Sequence, residues 1–153
     1  EGVPKDAVEA VEWYRMAAKQ GNAGGQRSLG VMYSNGEGVP KDAVKAVEWY
    51  RLAAEQGDTR SQYSLGGNFL QGEGVPKDFV QAHMWFNLAA TATASSGFDP
   101  ISDAADDRRK LESEMTEAQI AEAEKRAREW REAAPIPAHE KRSRELRRRQ
   151  GKT

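Results

Sequence analysis

The string Glu-Gly-Val-Pro-Lys-Asp stands three times in the chain, beginning at Glu1, Glu37 and Glu73. The two intervals are equal, 37 − 1 and 73 − 37 both giving 36 residues. A fixed period of this size is the mark of stacked supersecondary units. The agreement runs well past the string. AVEAVEWYRMAAKQG, from Ala7 to Gly21, is matched by AVKAVEWYRLAAEQG, from Ala43 to Gly57. The third copy drifts to FVQAHMWFNLAA, from Phe79 to Ala90. Later in each of the first two units come a Leu-Gly pair, an aromatic residue and a glycine: Leu29-Gly30, Tyr33 and Gly36, then Leu65-Gly66, Phe69 and Gly72. A unit of this length cannot bury its apolar face alone, so the chain must stack layers that share contacts only with their neighbours. Apolar residues at 38% and charged residues at 31% are lean for one globular core and suit such a thin structure.

Each unit predicts two helices, here named B (the Trp-Tyr helix) and A (the Leu-Gly helix). Asp42 caps the first free N–H groups of a B helix, and Pro40 stiffens its approach with a fixed φ. Gly57 closes it in the left-handed conformation. Asp6, Pro4 and Gly21 repeat those marks. Helix A follows from about Asn22 to Asn35, opened by Asn22 and, in the next unit, by Asp58. Helices of about 14 residues on short loops lie antiparallel. On the first B helix, Ala7, Val11, Tyr14 and Ala18 share one side, with Ala10, Trp13 and Ala17 beside them; Glu9, Glu12, Arg15 and Lys19 take the rest. The recurrence of Trp13-Tyr14 and Trp49-Tyr50 marks both pairs as core. Gly30 and Gly66 cost a helix about 1 kcal/mol each against alanine, which implies a packing reason, close backbone approach. Asn68 requires a hydrogen-bond partner or an exposed position, and Gly66-Gly67 predicts a locally weaker second A helix.

These residues resemble the Sel-one-like repeat (SLR) family, a relative of the tetratricopeptide repeat. The family pattern, roughly A-x-x-L-G-x-M-Y-x-x-G, then G-V, then D-x-x-x-A-x-x-W-Y-x-x-A-A, is met by Leu29, Gly30, Met32, Tyr33, Gly36, Gly38, Val39, Asp42, Ala46, Trp49, Tyr50, Ala53 and Ala54. Gly25 and Ser61 depart from its alanine, and Asn68 from its methionine. The resemblance implies an all-α, right-handed α-solenoid of antiparallel helix pairs that serves as an adaptor in bacterial protein complexes, whether secreted, periplasmic or cytoplasmic.

The repeats occupy residues 1–94, the first one incomplete because Glu1 aligns with Glu37. One side of the first B helix is thereby left open, for an upstream layer or for self-association. Residues 95–134 are read as a loop, Thr91 to Pro100, followed by a divergent capping pair. Its first helix runs from Ser102 or Asp103 to about Glu114, with Ala105, Arg108, Leu111 and Met115 on one face. Its second opens at the capping box Thr116-Glu117-Ala118-Gln119, carries Ile120, Ala123, Ala127, Trp130 and Ala134, and ends before Pro135 and Pro137. Residues 135–153 form a basic tail. From His139 onward it holds seven Lys or Arg against two Glu, which suits acidic partners or RNA through charge alone. It has no aromatic residue for base stacking, so a solvated extension is favoured over nucleic-acid binding.

No constellation for catalysis or cofactor binding is legible. There is no cysteine, and of two histidines His83 reads as a core residue and His139 stands alone in the tail. His-Glu-x-x-His, Gly-x-Ser-x-Gly and Gly-x-x-x-x-Gly-Lys are absent. A β-lactamase-like hydrolase, a label some relatives carry, would need Ser-x-x-Lys, and no serine here has a lysine three positions on. No apolar run is long enough to span a membrane. The Gly-Glu-Gly-Val-Pro loop reads as a plain turn.

The sequence therefore points to a scaffold without enzymatic activity, binding a protein or peptide on a concave face lined by A helices. Between the first two units identity is concentrated in the B helices, and divergence lies in the A helices. Scaffold positions must repeat for layers to stack, while ligand-facing positions are free to differ; the nearby end of the stack is the other source of such divergence. Arg27, Val31 and Ser34, with Arg60, Tyr63 and Leu70 on the next layer, are the partner-binding candidates, Tyr and Arg being the types that dominate binding hot spots.

Overall fold

A computed structural model describes residues 5–96 and 103–134, together with Arg148. Among the described residues seven helices follow one another: α1 Lys5–Lys19, α2 Ala23–Asn35, α3 Ala43–Glu55, α4 Thr59–Gln71, α5 Phe79–Ser96, α6 Asp103–Glu112 and α7 Glu117–Ala133. No strand occurs among the described residues. α1, α3 and α5 are the B helices, and α2 and α4 the A helices. Each packs on the next to make a stack, and α5 then carries both α6 and α7. The chain is thus an all-α solenoid of repeated helix pairs.

The caps stand where the polar residues place them. Asn22, Asp42, Asp58 and Thr116 each accept a hydrogen bond from the backbone N–H three residues on. Asp78 does the same for Gln81 N at 3.0 Å. Thr116 and Gln119 close a reciprocal capping box. Asp6 differs, lying within the first turn of α1 rather than ahead of it.

The third B helix outruns its expected end. Thr91 to Ser96 continue α5 instead of forming a loop. Gly21 and Gly57 end the earlier B helices at φ +83° and +90°; the same repeat position holds Thr93, for which that conformation is costly. Thr91 Oγ1 also donates to Asn87 O at 2.7 Å, the back-bond of a threonine inside a helix.

The main core joins Tyr33, Ala46, Val47, Tyr50, Leu65, Phe69, Met84, Trp85, Phe86, Leu88, Leu111 and Ala127. A smaller one holds Val11, Ala18 and Leu29. Gly30 and Gly66 owe their place chiefly to aromatic rings, with the backbone carbonyl of Ala82 also close to Gly66. A methyl at Gly30 would run into the ring of Tyr50, and one at Gly66 into that of Phe86. The layers are also tied by buried glutamines that the periodicity did not reveal. Gln26 and Gln62 reach back to the carbonyls of Ala18 and Ala54, at 3.4 and 3.2 Å. Gln56 donates to Gln26 Oε1 at 2.7 Å. The residue 36 positions after Gln56 is Ala92, and Gln62 Oε1 is buried with no hydrogen-bond partner among the described residues.

Two expected core positions differ. Trp13 is 68% exposed, whereas Trp49 is half-buried and Trp85 is 5% exposed. Among the described helices α1 packs on α2, whereas α3 packs on α2 and α4, and α5 on α4, α6 and α7. In α6 it is Ala104, not Ala105, that is buried alongside Leu111. Asn68 meets its requirement by donating to Glu73 O at 3.1 Å. Pro135, Pro137 and, apart from Arg148, the basic tail lie outside the described residues.

Candidate interaction surface

The repeat sets α2 and α4 in register, so the candidate residues fall into rows one period apart. Arg27 aligns with Tyr63, Val31 with Gly67 and Ser34 with Leu70. Behind them four buried pairs hardly change, Gln26 and Gln62, Leu29 and Leu65, Gly30 and Gly66, Tyr33 and Phe69, while Gly25 gives way to Ser61 and Met32 to Asn68. Stacking thus fixes one face of each A helix and leaves the chemistry of the other free.

The first row is committed to holding layers together. Arg27 Nη1 lies 2.5 Å from Asp58 Oδ1, at the cap of α4, and neither side chain is more than a third exposed. Tyr63 OH donates to Asp107 Oδ2 on α6 at 2.5 Å, and its ring packs on Phe86 with centroids 5.5 Å apart. Burial, then the Asp107 hydrogen bond and the charges of Asp107 and Asp103, push the Tyr63 phenol up to about 12. Arg27 and Tyr63 are therefore half-buried structural ties, not the exposed side chains expected.

The remaining candidates divide. Val31, at 39%, and Arg60 are exposed. Leu70 is half-buried against the main core. Ser34 is half-buried and hydrogen-bonded to Tyr50, which reaches from α3 to both Ser34 and Ser64. Burial raises the Tyr50 phenol, and the two hydroxyls partly offset that effect. Gly67 opens onto free space, since a methyl there would meet nothing within 4 Å. The result is a face of aliphatic and hydroxyl groups together with the Arg60 cation, bordered by the Arg27–Asp58 and Tyr63–Asp107 ties. Tyr50, Ser64 and Gly67 were missed because the sequence shows the repeat but not which side chain of α3 reaches the A helices.

His83 is fully buried, and its Nε2 lies 2.8 Å from Glu112 Oε1; its Nδ1 has no partner among the described residues. The pair joins α5 to α6, with His83 buried and Glu112 about a third exposed. Among the described residues, no cluster of three or more His, Cys, Asp or Glu could hold a metal ion. None of the described helices is long and apolar enough to cross a membrane.

The family model described as Sel1 repeat matches residues 1–22, 23–58 and 59–93, its unit beginning with the A helix. No curated protein sequence matches the chain significantly. Among solved structures, one similar chain is c5321, a protective antigen present in uropathogenic Escherichia coli strains and displaying an SLR fold. It is 35% identical, with a TM-score of 0.78 over 87% of this chain and 27% of that one. A Sel1 repeat protein from Oxalobacter formigenes is 40% identical, with a TM-score of 0.55 over 56% of this chain and 35% of that one. The chain thus spans about a quarter to a third of the length of these two structures. With three consecutive matches at the period seen in both sequence and helices, the chain belongs to the Sel1 repeat family.

Proposed function

We propose that this chain is part of a protein-interaction scaffold without catalytic activity, and that the α2–α4 face receives a peptide or protein segment. Family membership supports the general role, since Sel1 repeat proteins typically serve as interaction scaffolds. The observation that carries the reading is the contrast between the two faces of the A helices. Among the buried positions Gln26/Gln62, Leu29/Leu65 and Gly30/Gly66 repeat from layer to layer, whereas the half-buried to exposed rows Arg27/Tyr63, Val31/Gly67 and Ser34/Leu70 change in size and polarity. The internal ties of Arg27 and Tyr63 also hold this face rigid before a ligand arrives, which lowers the entropy lost on binding. On this reading the face is the concave side of a right-handed superhelix, residues 1–94 form the repeat domain, and 95–134 close it.

A photo-crosslinking amino acid at Val31 or Arg60 tests the assignment in cells producing the protein. Both side chains are exposed, so the fold is retained. A discrete adduct with one protein from these positions, absent when the probe replaces the exposed Lys125 on α7, supports the α2–α4 face. Adducts from Lys125 with none from Val31 or Arg60 would overturn it.

A further inference from the structure

The third B helix is covered on a side that the first two leave open. Val80, Met84, Leu88 and Thr91 run along α5 at i, i+4, i+8 and i+11, one stripe of a helix. Val80 is half-buried, and Met84 and Leu88 are 8% and 3% exposed. One period earlier the same positions hold Val44, Glu48, Leu52 and Glu55, with Val44 56% and Leu52 46% exposed. The cover on α5 is α7. Gln119, in the first turn of α7, lines a shallow cleft with Val80. Trp130 meets Trp85 edge to face at 6.1 Å. Arg131 Nη1 donates to Thr91 Oγ1 at 3.3 Å. These contacts advance together along both helices, so α7 lies beside α5 and parallel to it. Ala123 stands four residues after Gln119, as Met84 stands four after Val80, and both Ala123 and Ala127 are fully buried.

The change that admits this cover sits at the middle of the stripe. Where α5 has Met84, α1 has Glu12 and α3 has Glu48. Glu12 is engaged by Arg15 at 2.6 Å. Glu48 is exposed and has no ion pair among the described residues. A helix with only apolar groups over α3 would strip water from that carboxylate without replacing it. We propose that the outer face of α3, Val44–Glu48–Leu52, docks an amphipathic helix of a partner protein, laid parallel as α7 lies on α5, with a lysine or arginine facing Glu48. The two aliphatic flanks of the stripe are kept between the layers, the docking geometry already exists within the molecule, and the unpaired carboxylate sets the complementary charge. A second copy of this chain fits less well, since its own α7 brings Ala123 to the place where a cation is needed.

The test titrates the full chain into dye-labelled peptides of residues 116–134, one natural and one carrying Ala123→Lys, followed by anisotropy. The lysine peptide is expected to bind at least tenfold more tightly than the natural one. Glu48→Lys should weaken it at least tenfold, and Leu52→Asp should abolish it, with helicity unchanged because both side chains are exposed. Glu48→Met recreates the Val-Met-Leu stripe and should transfer the preference to the natural peptide. Absence of binding at millimolar chain would overturn the proposal. So would equal binding of both peptides that Glu48→Lys leaves unchanged, the result of displacing α7 from α5. A peptide-free dimer dispersed by Leu52→Asp would assign the face to a second copy and overturn the partner helix.

Discussion

At the scale of single residues, adjacent glycines carry opposite consequences. Gly66 lies under the ring of Phe86, while Gly67 opens onto free space. Gly67→Ala is therefore expected to raise stability by about 1 kcal/mol through helix propensity alone. Gly66→Ala should lower it, because the added methyl displaces a buried ring and overpacking costs about 1–3 kcal/mol. Urea unfolding of the two variants checks the pair; stabilisation by both would show that the ring moves freely. The sequence distinguishes these glycines only because Gly66 repeats Gly30 and Gly67 has no counterpart. It does not show that Arg27 and Tyr63 are turned inward, since that depends on Asp58 and Asp107, brought near by the stacking of later helices. For Tyr63 the consequence is measurable at high pH. Its phenol is raised from 10.0 to about 12 in the folded chain. The protonated form is the one the fold favours, so the associated stability is intact below pH 10 and is lost as pH rises through about 12. Absorbance at 295 nm should show a late phenolate step that Tyr63→Phe removes and Asp107→Asn moves to lower pH. A step unaffected by Tyr63→Phe would refute the assignment.

Among the elements, α5 departs furthest from its repeat, and the departures belong together. With Thr93 in place of the closing glycine the helix runs on, with Met84 in place of glutamate it accepts α7, and with His83 it takes hold of α6. Val11 and Val47 occupy the position of His83 in the earlier units, and both are buried. The two halves of the His83–Glu112 pair are thus unequal. Glu112→Ala leaves a buried imidazole with neither nitrogen bonded and is expected to cost about 1–3 kcal/mol. His83→Val restores the side chain of the other layers and leaves Glu112, which is 32% exposed, in reach of water; it should cost less. Thermal unfolding of both variants gives the order, and a larger loss from His83→Val would show that packing, not the hydrogen bond, anchors α6. Helix starts were legible because each cap is a local bond between a side chain and a backbone N–H three residues on. The length of α5 was not, because the signal is a missing glycine and the run that follows reads as a loop by composition. Nor was the placement of α7: its apolar residues show that it is covered, without showing that it lies parallel on α5.

For the molecule as a whole, a stack of layers has no single core, and its stability is a sum over neighbouring contacts. The apolar contacts are unevenly spread. α4, α5, α6 and α7 share the main core, whereas α1 contributes Val11 and Ala18 to the smaller one and leaves Val8, Trp13 and Met16 exposed. Opening α1 exposes the smaller core, Val11, Ala18 and Leu29, and among the described residues it breaks the tie from Gln26 to Ala18 O and a long contact between Arg15 and Tyr33. Opening α5 exposes Met84, Trp85, Phe86 and Leu88 together and leaves both α6 and α7 without support. Native-state hydrogen exchange should therefore rise in protection along the chain, with α1 opening at a free energy well below that of α4 and α5, which open with the whole stack. The spectroscopic counterpart is that Trp13 emits as a solvated indole, and its quenching is lost in Trp13→Phe. Equal protection of α1 and α5 would mean that the layers unfold as one unit in spite of their unequal burial. The nearest-neighbour description, from which both proposed binding faces follow, would then fail.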